Sequence, residues 1–175
     1  MNQIVEVLSS KHNRKNFDCG QKQLDNYIKR FVSQDAKRNL AVCYVLADEK
    51  DKVVGYYTLS SSSIPKILVP TKYLNKVGTY PTVPTILLGR LAVDSAQQGK
   101  GTGQYLLVDA LRNCAKIADS LGAAGVIVDP IDKSAESFYG KYGFIKLPDS
   151  GKMMVAMSLV YDVANVFYTP HPGTK

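Results

Sequence analysis

The chain has 175 residues, enough for one well-buried core and too few for two comfortable domains, so a single domain over 1–175 is expected. With 45% apolar and 21% charged residues it has the composition of an ordinary globular protein, not a disordered one. No stretch reaches the roughly 18 apolar residues of a membrane span, and Met1–Leu8 lacks the basic start and apolar run of a signal peptide, so a cytoplasmic protein is expected. Net charge is +7, of which residues 1–40 carry +4, from eight Lys or Arg against four Asp or Glu. Two readings fit this cluster: a polyanion-binding surface that gains affinity by counterion release, or a solvated basic face.

In chain order, Ile4–Leu8 reads as a short strand, followed by a basic stretch Lys11–Lys15. Asp18 is placed as N-cap of a helix whose buried stripe is Leu24, Tyr27, Ile28 and Phe31, and a second short helix is expected over Ser33–Arg38. Leu40–Ala47 and Val53–Ser61 read as an antiparallel pair joined through the polar turn Asp48–Lys52. The four prolines of Pro65–Pro84 mark an excursion, and strand patterning resumes at Ile86–Val93. A long helix over Gly101–Leu121 buries Leu107, Ala110, Leu111, Cys114, Ala118 and Leu121, and Gly122 stops it. The apolar run Ala124–Val128 suits a strand buried on both faces; a helix Ser134–Tyr142 and a last strand Met153–Tyr161 follow. The strand, helix, strand unit implies one parallel pair inside a mostly antiparallel sheet.

Three cysteines, Cys19, Cys43 and Cys114, share no ligand spacing and are expected as reduced packing residues. His12 and His171 offer little from which to build a metal site, and none is expected. The strongest local signal is Leu91-Ala92-Val93-Asp94 followed by Gln98-Gly99-Lys100-Gly101-Thr102-Gly103 at the mouth of the long helix. Glycines there let backbone amides, reinforced by the helix dipole, hold a pyrophosphate; an ordinary strand-to-helix loop also uses glycine. Neither a P-loop nor a dinucleotide fingerprint fits.

The order of bulky strand, glycine turn, long helix, buried strand and then Phe138-Tyr139 with Tyr142-Gly143-Phe144 resembles the GNAT acetyltransferases over roughly Leu40–Val160. Gln98, Gly101 and Gly103 match that family's Arg/Gln-x-x-Gly-x-Gly/Ala signature. The resemblance implies a mixed α/β (α+β) fold: a mostly antiparallel twisted sheet with one parallel, splayed strand pair, flanked by helices, with residues 86–146 as the acetyl-coenzyme A core. It implies acetyl-coenzyme A as co-substrate, pantetheine on the backbone of Leu91, Ala92 and Val93, and pyrophosphate on Gln98, Gly99, Lys100, Gly101, Thr102 and Gly103. Ser134, Ala135 and Phe138 lie where the family's later helix passes the cofactor. It also makes Tyr139 the general acid, since a tyrosine hydroxyl stays protonated at neutral pH and can donate to the departing thiolate. Taken alone, Tyr139 and Tyr142 read as core aromatics on an amphipathic helix, and it is the motif position that favours the acid role.

Phe17-Asp18-Cys19-Gly20 with Leu24-Asp25 and Tyr27-Ile28, and the strand Leu88-Gly89-Arg90-Leu91-Ala92-Val93-Asp94, are similar to the GNAT toxins of bacterial toxin-antitoxin modules. That resemblance implies acetylation of aminoacyl-tRNA, inhibition by a ribbon-helix-helix antitoxin, a homodimer, and tRNA-binding roles for Lys11, Arg14, Lys15, Lys22, Lys29, Arg30, Lys37 and Arg38. Other readings are a housekeeping N-acetyltransferase acting on a protein or small-molecule amine, or a non-catalytic partner-binding module.

Overall fold

A computed structural model describes residues 4–165. Its strands are β1 Val5–Val7, β2 Val42–Ala47, β3 Val53–Pro65, β4 Thr82–Val93, β5 Gly125–Val128, β6 Ile145–Lys146 and β7 Met153–Ala156. They form a mixed sheet in the order β1-β2-β3-β4-β5-β7-β6, with β4 and β5 as its parallel pair. Among the described residues five α-helices accompany them: α1 Lys22–Asn26, α2 Val32–Lys37, α3 Thr102–Leu121, α4 Lys133–Gly140 and α5 Met157–Asn165. Among the described residues no helix is long and apolar enough to cross a membrane. The described residues divide into two compact units, 4–61 with 87–110, and 62–86 with 111–165; β3, β4 and α3 each contribute to both.

In the first unit, β1 and β2 pair antiparallel with Val7 opposite Tyr44, and β2 pairs β3 with Val45 opposite Tyr56 and Tyr44 opposite Tyr57. Alternation along a strand sends these pairs to opposite faces. On one face Val45, Tyr56 and Ala92 join Phe17, Leu24, Tyr27, Ile28 and Val32 in a buried cluster. On the other, Tyr44 and Tyr57 stack at 4.9 Å, the Tyr57 hydroxyl donates to Asp109 Oδ2 at 2.6 Å, and a Cβ on Gly55 would stand 2.6 Å from Leu106 Cδ1. Gly55 is thus glycine because α3 packs directly on the strand.

Three expectations are corrected in this unit. Asp18 is not the N-cap: α1 begins after Gln21, and Asp18 Oδ1 instead accepts Gly20 N–H at 2.9 Å in a tight turn. The helical stretch does not end and restart; α1 and α2 are joined by a π-helical turn over Tyr27–Phe31. The wider turn adds a residue to the register, so Val32 occupies the core at 1% exposure while Phe31, expected there, is 50% exposed.

In the second unit, β5 and β7 pair antiparallel with Val126 opposite Val155, and β6 pairs the other edge of β7. All four residues of β5 and of β7 are buried, as strands covered on both faces require. Here the expected last strand Met153–Tyr161 is corrected: it ends at Ala156 and continues as α5. Met157, Val160 and Ala164 are buried at helical spacing, and Met157 N–H donates to Ala124 O at 2.8 Å. The proline-rich excursion holds two 3-10 turns, Lys66–Leu68 and Thr71–Lys76, and β4 starts at Thr82, earlier than expected. Leu121, expected on the buried stripe of α3, is 74% exposed at the helix end. The short β6 has no periodic signal and was not expected.

Candidate active site

β4 ends with Leu91 half-buried and Ala92 and Val93 buried, and the chain then turns through Ser95–Gln97 into the glycine loop. Gly99 and Gly101 have φ of +73° and +83°, a region L side chains rarely adopt, and a Cβ at either would meet nothing within 4 Å. Glycine is needed there for backbone direction, and the space beside it is open. The helical ladder of α3 begins with Tyr105 N–H on Gly101 O at 3.0 Å, so it does not claim the amides of Thr102, Gly103 and Gln104. Those amides and the positive end of a helix of 20 residues form an oxyanion-binding mouth. The open space beside Gly99 and Gly101 leaves room for an anionic group such as a pyrophosphate.

The side chains around this turn brace it. Gln98 Nε2 donates to both Cys19 O and Val93 O at 2.9 Å, and Lys100 Nζ donates to Ala96 O at 2.7 Å. Asp94, 5% exposed, accepts Ala96 N–H on Oδ1 at 3.1 Å and Asp18 N–H on Oδ2 at 3.4 Å. Ser95 donates to Asp18 O from both its amide and its hydroxyl at 2.8 Å. Cys19 N–H donates to Asp25 Oδ1 at 2.8 Å, and Phe17 packs edge-on against Tyr56 at 5.4 Å. The Phe17-Asp18-Cys19-Gly20 segment is therefore a strut behind the glycine turn. Asp94, Ser95 and Asp18 were missed as site-supporting residues. Their short polar side chains beside the glycines were a visible signal, but not their mutual pairing.

In the second unit, Asp132 caps α4, its Oδ1 accepting Ala135 N–H at 2.8 Å. Ser134 is exposed, and Ala135 and Phe138 are half-buried. Tyr139 is 8% exposed among aromatic rings, with Phe138 at 5.4 Å and Phe144 at 5.3 Å. Burial pushes its hydroxyl pKa well above the ordinary tyrosine value, and it donates to no partner among the described residues. Gly143 turns the chain at φ +85°, where a Cβ would collide with Leu159. The result is a protonated hydroxyl held by apolar packing.

Of the basic residues, Lys15, Lys22, Arg30, Lys37 and Arg38 are exposed and Lys29 is half-buried. Lys11 pairs with Glu6 at 2.8 Å, which raises its pKa and lowers that of Glu6. Arg14 turns inward: Nη2 donates to Ser33 Oγ at 2.8 Å, and it lines a cavity of about 600 Å³ with Leu8, Leu40 and Cys43. On the middle strand Tyr56 donates to Leu24 O at 2.8 Å, so it serves the core.

A family model described as Acetyltransferase (GNAT) domain matches residues 39–146. The chain is a GNAT acetyltransferase. Among relatives of this GNAT chain, the tRNA-acetylating toxin of Mycobacterium tuberculosis is 34% identical over 128 residues, 73% of this chain and 75% of that protein. A probable toxin TacT of Sinorhizobium fredii is 31% identical over 154 residues, 83% and 85% of the two chains. The structure of AtaT complexed with acetyl-methionyl-tRNAfMet superposes with a TM-score of 0.85 at 25% identity, covering 93% of this chain and 99% of that one. AtaTR bound with AcCoA gives 0.81 at 26% identity, again covering 93% and 99%.

Proposed function

We propose that this GNAT chain is a single-domain toxin that moves acetyl from acetyl-coenzyme A to the α-amino group of aminoacyl-tRNA and thereby blocks translation. The observation that carries the reading is the 34% identity to a tRNA-acetylating toxin across 73% of the chain. The likeness to AtaT in complex with an acetylated aminoacyl-tRNA supports the same substrate class.

When bound, acetyl-coenzyme A supplies a thioester whose carbonyl carbon accepts the amine. The amides of Gly99 to Gly103 hold its pyrophosphate, and Gln98 and Lys100 keep their own side chains on the loop. The backbone of Leu91, Ala92 and Val93 would hold the pantetheine arm, and a backbone N–H there would stabilise negative charge on the thioester oxygen. By the family resemblance Ser134, Ala135 and Phe138 of α4 would contact the cofactor. Tyr139 gives its proton to the departing sulfur; its raised pKa keeps that proton in place at physiological pH. The attacking amine loses its own proton to solvent. An α-amino group titrates at about 8 or lower, so a useful fraction is neutral without a dedicated base.

Exposed Lys15, Lys22, Arg30, Lys37 and Arg38, with Lys11 and Lys29, contact tRNA phosphates, and Arg14 supports that surface from beneath. A homodimer would set two such surfaces on one tRNA, a ribbon-helix-helix antitoxin would restrain the activity, and the substrate locates the protein to the cytoplasm. The test follows labelled acetyl onto bulk charged tRNA, with uncharged tRNA and Tyr139→Phe as controls. Labelling of charged tRNA alone, collapsing in the mutant, is expected. Turnover on peptides or small amines without labelling of charged tRNA would replace the toxin by a housekeeping acetyltransferase.

A further inference from the structure

The π-helical turn Tyr27–Phe31 has no proline or glycine anywhere between Lys22 and Lys37 to cause it. Its effect is to take Phe31 out of the core and leave the ring half-exposed. Turns of this kind are frequent at functional sites. Phe31 borders a cavity of about 440 Å³ whose other walls are Gln23, Asn26, Tyr27, Asp35 and Arg90. The Arg90 guanidinium lies 3.5 Å over the Tyr27 ring, and the Tyr27 hydroxyl donates to Asp35 Oδ2 at 2.9 Å. Among the described residues Arg90 is thus a cation held in place by an aromatic face and has no ion-paired carboxylate.

We propose that this cavity holds the 3′-terminal nucleoside of the charged tRNA, its base stacked on Phe31 and its 5′-phosphate on Arg90. The proposal rests on the aminoacyl-tRNA reading and adds to it the place where the acceptor end is recognised. A half-exposed aromatic ring beside an arginine is the pairing that single-stranded nucleic acid sites use, stacking for the base and a guanidinium fork for the phosphate. Gln23 and Asn26 offer amide donors and acceptors for a base edge, and Asp35 suits a ribose hydroxyl while repelling a second phosphate. The position fits the chemistry. Arg90 directly precedes Leu91 on β4, so a nucleoside on Arg90 is one residue along the strand from the backbone assigned to the thioester. One ester linkage and one amino acid then span from the ribose to the amine.

The experiment compares wild type, Phe31→Ala, Phe31→Tyr and Arg90→Gln on four acceptors. These are bulk charged tRNA, the aminoacyl amide of 3′-amino-3′-deoxyadenosine with and without a 5′-phosphate, and the methyl ester of the same amino acid. Wild type should prefer the nucleoside amide to the methyl ester by roughly tenfold or more in kcat/KM, Phe31→Ala should erase that preference through KM, and Phe31→Tyr should restore it. The 5′-phosphate should add roughly tenfold in wild type and nothing in Arg90→Gln, a ratio that a mere loss of folded protein does not alter. If wild type labels charged tRNA and Phe31→Ala keeps the full nucleoside preference, the cavity assignment is overturned while the toxin reading stands. If charged tRNA is not labelled at all, the toxin reading falls and this assignment falls with it.

Discussion

The glycine turn of the first unit and the α4 helix of the second are held by opposite means. Around Gly99 and Gly101 the side chains of Gln98, Asp94 and Ser95 are held on the backbone of Cys19, Val93, Ala96 and Asp18, and the ladder of α3 leaves the amides of Thr102, Gly103 and Gln104 unclaimed. Around Tyr139 the packing is aromatic and the hydroxyl has no fixed partner among the described residues. Hydrogen bonds fix the direction of a backbone well, which is what the proposed phosphate site requires. Apolar burial disfavours the tyrosinate anion and so keeps the proton that the proposed acid role requires.

The largest expected effect breaks the second region alone. Tyr139→Phe should lower kcat by about 10²–10⁴ with stability nearly unchanged, because no hydrogen bond is lost; turnover and denaturant unfolding measured together check this. The pH profile sharpens it. Burial raises the folded pKa of Tyr139 above its ordinary 10.0, so its acid form persists upward in pH, and wild-type kcat should show no alkaline loss from this group below pH 10.0. The same shift favours the folded state below the unfolded value and loses that contribution as pH rises beyond it.

Asp94→Ala should do the reverse, costing about 1–3 kcal/mol of stability by orphaning the amides of Ala96 and Asp18, and raising KM for acetyl-coenzyme A with a smaller change in kcat. Gly101→Ala should cost about 1–2 kcal/mol through its positive φ, seen as a lower Tm and a higher KM for acetyl-coenzyme A. The smallest effect concerns thiols. Burial raises Cys19 to about 11 and Cys43 and Cys114 to about 12, so at pH 8 the folded protein should resist alkylation and take up label only on unfolding.

Much of the site was legible because its demands are local. A backbone that must turn through positive φ leaves glycine in the sequence at Gly99 and Gly101, and the Tyr139 helix carries its aromatic pattern within a few residues. Phe31 was misplaced because helical spacing assumes a regular helix, and one widened turn shifts every later residue by a position. The end of β7 was misplaced because a strand buried on both faces and a buried helix read alike over a short apolar run.

The sequence by itself determined the element order from β1 to α4 and the glycine turn, since these follow from local conformational preference and short spacing, and the family resemblance carried by its motifs pointed to Tyr139 as the candidate acid. Only the tertiary structure decided that Asp94 braces Asp18 across 76 residues, that Arg14 turns inward to Ser33 while its neighbours stay exposed, and that Phe31 leaves the core to stand beside Arg90. Those outcomes depend on which distant groups can satisfy a buried donor or fill a buried volume, and that competition is settled only when the layers pack.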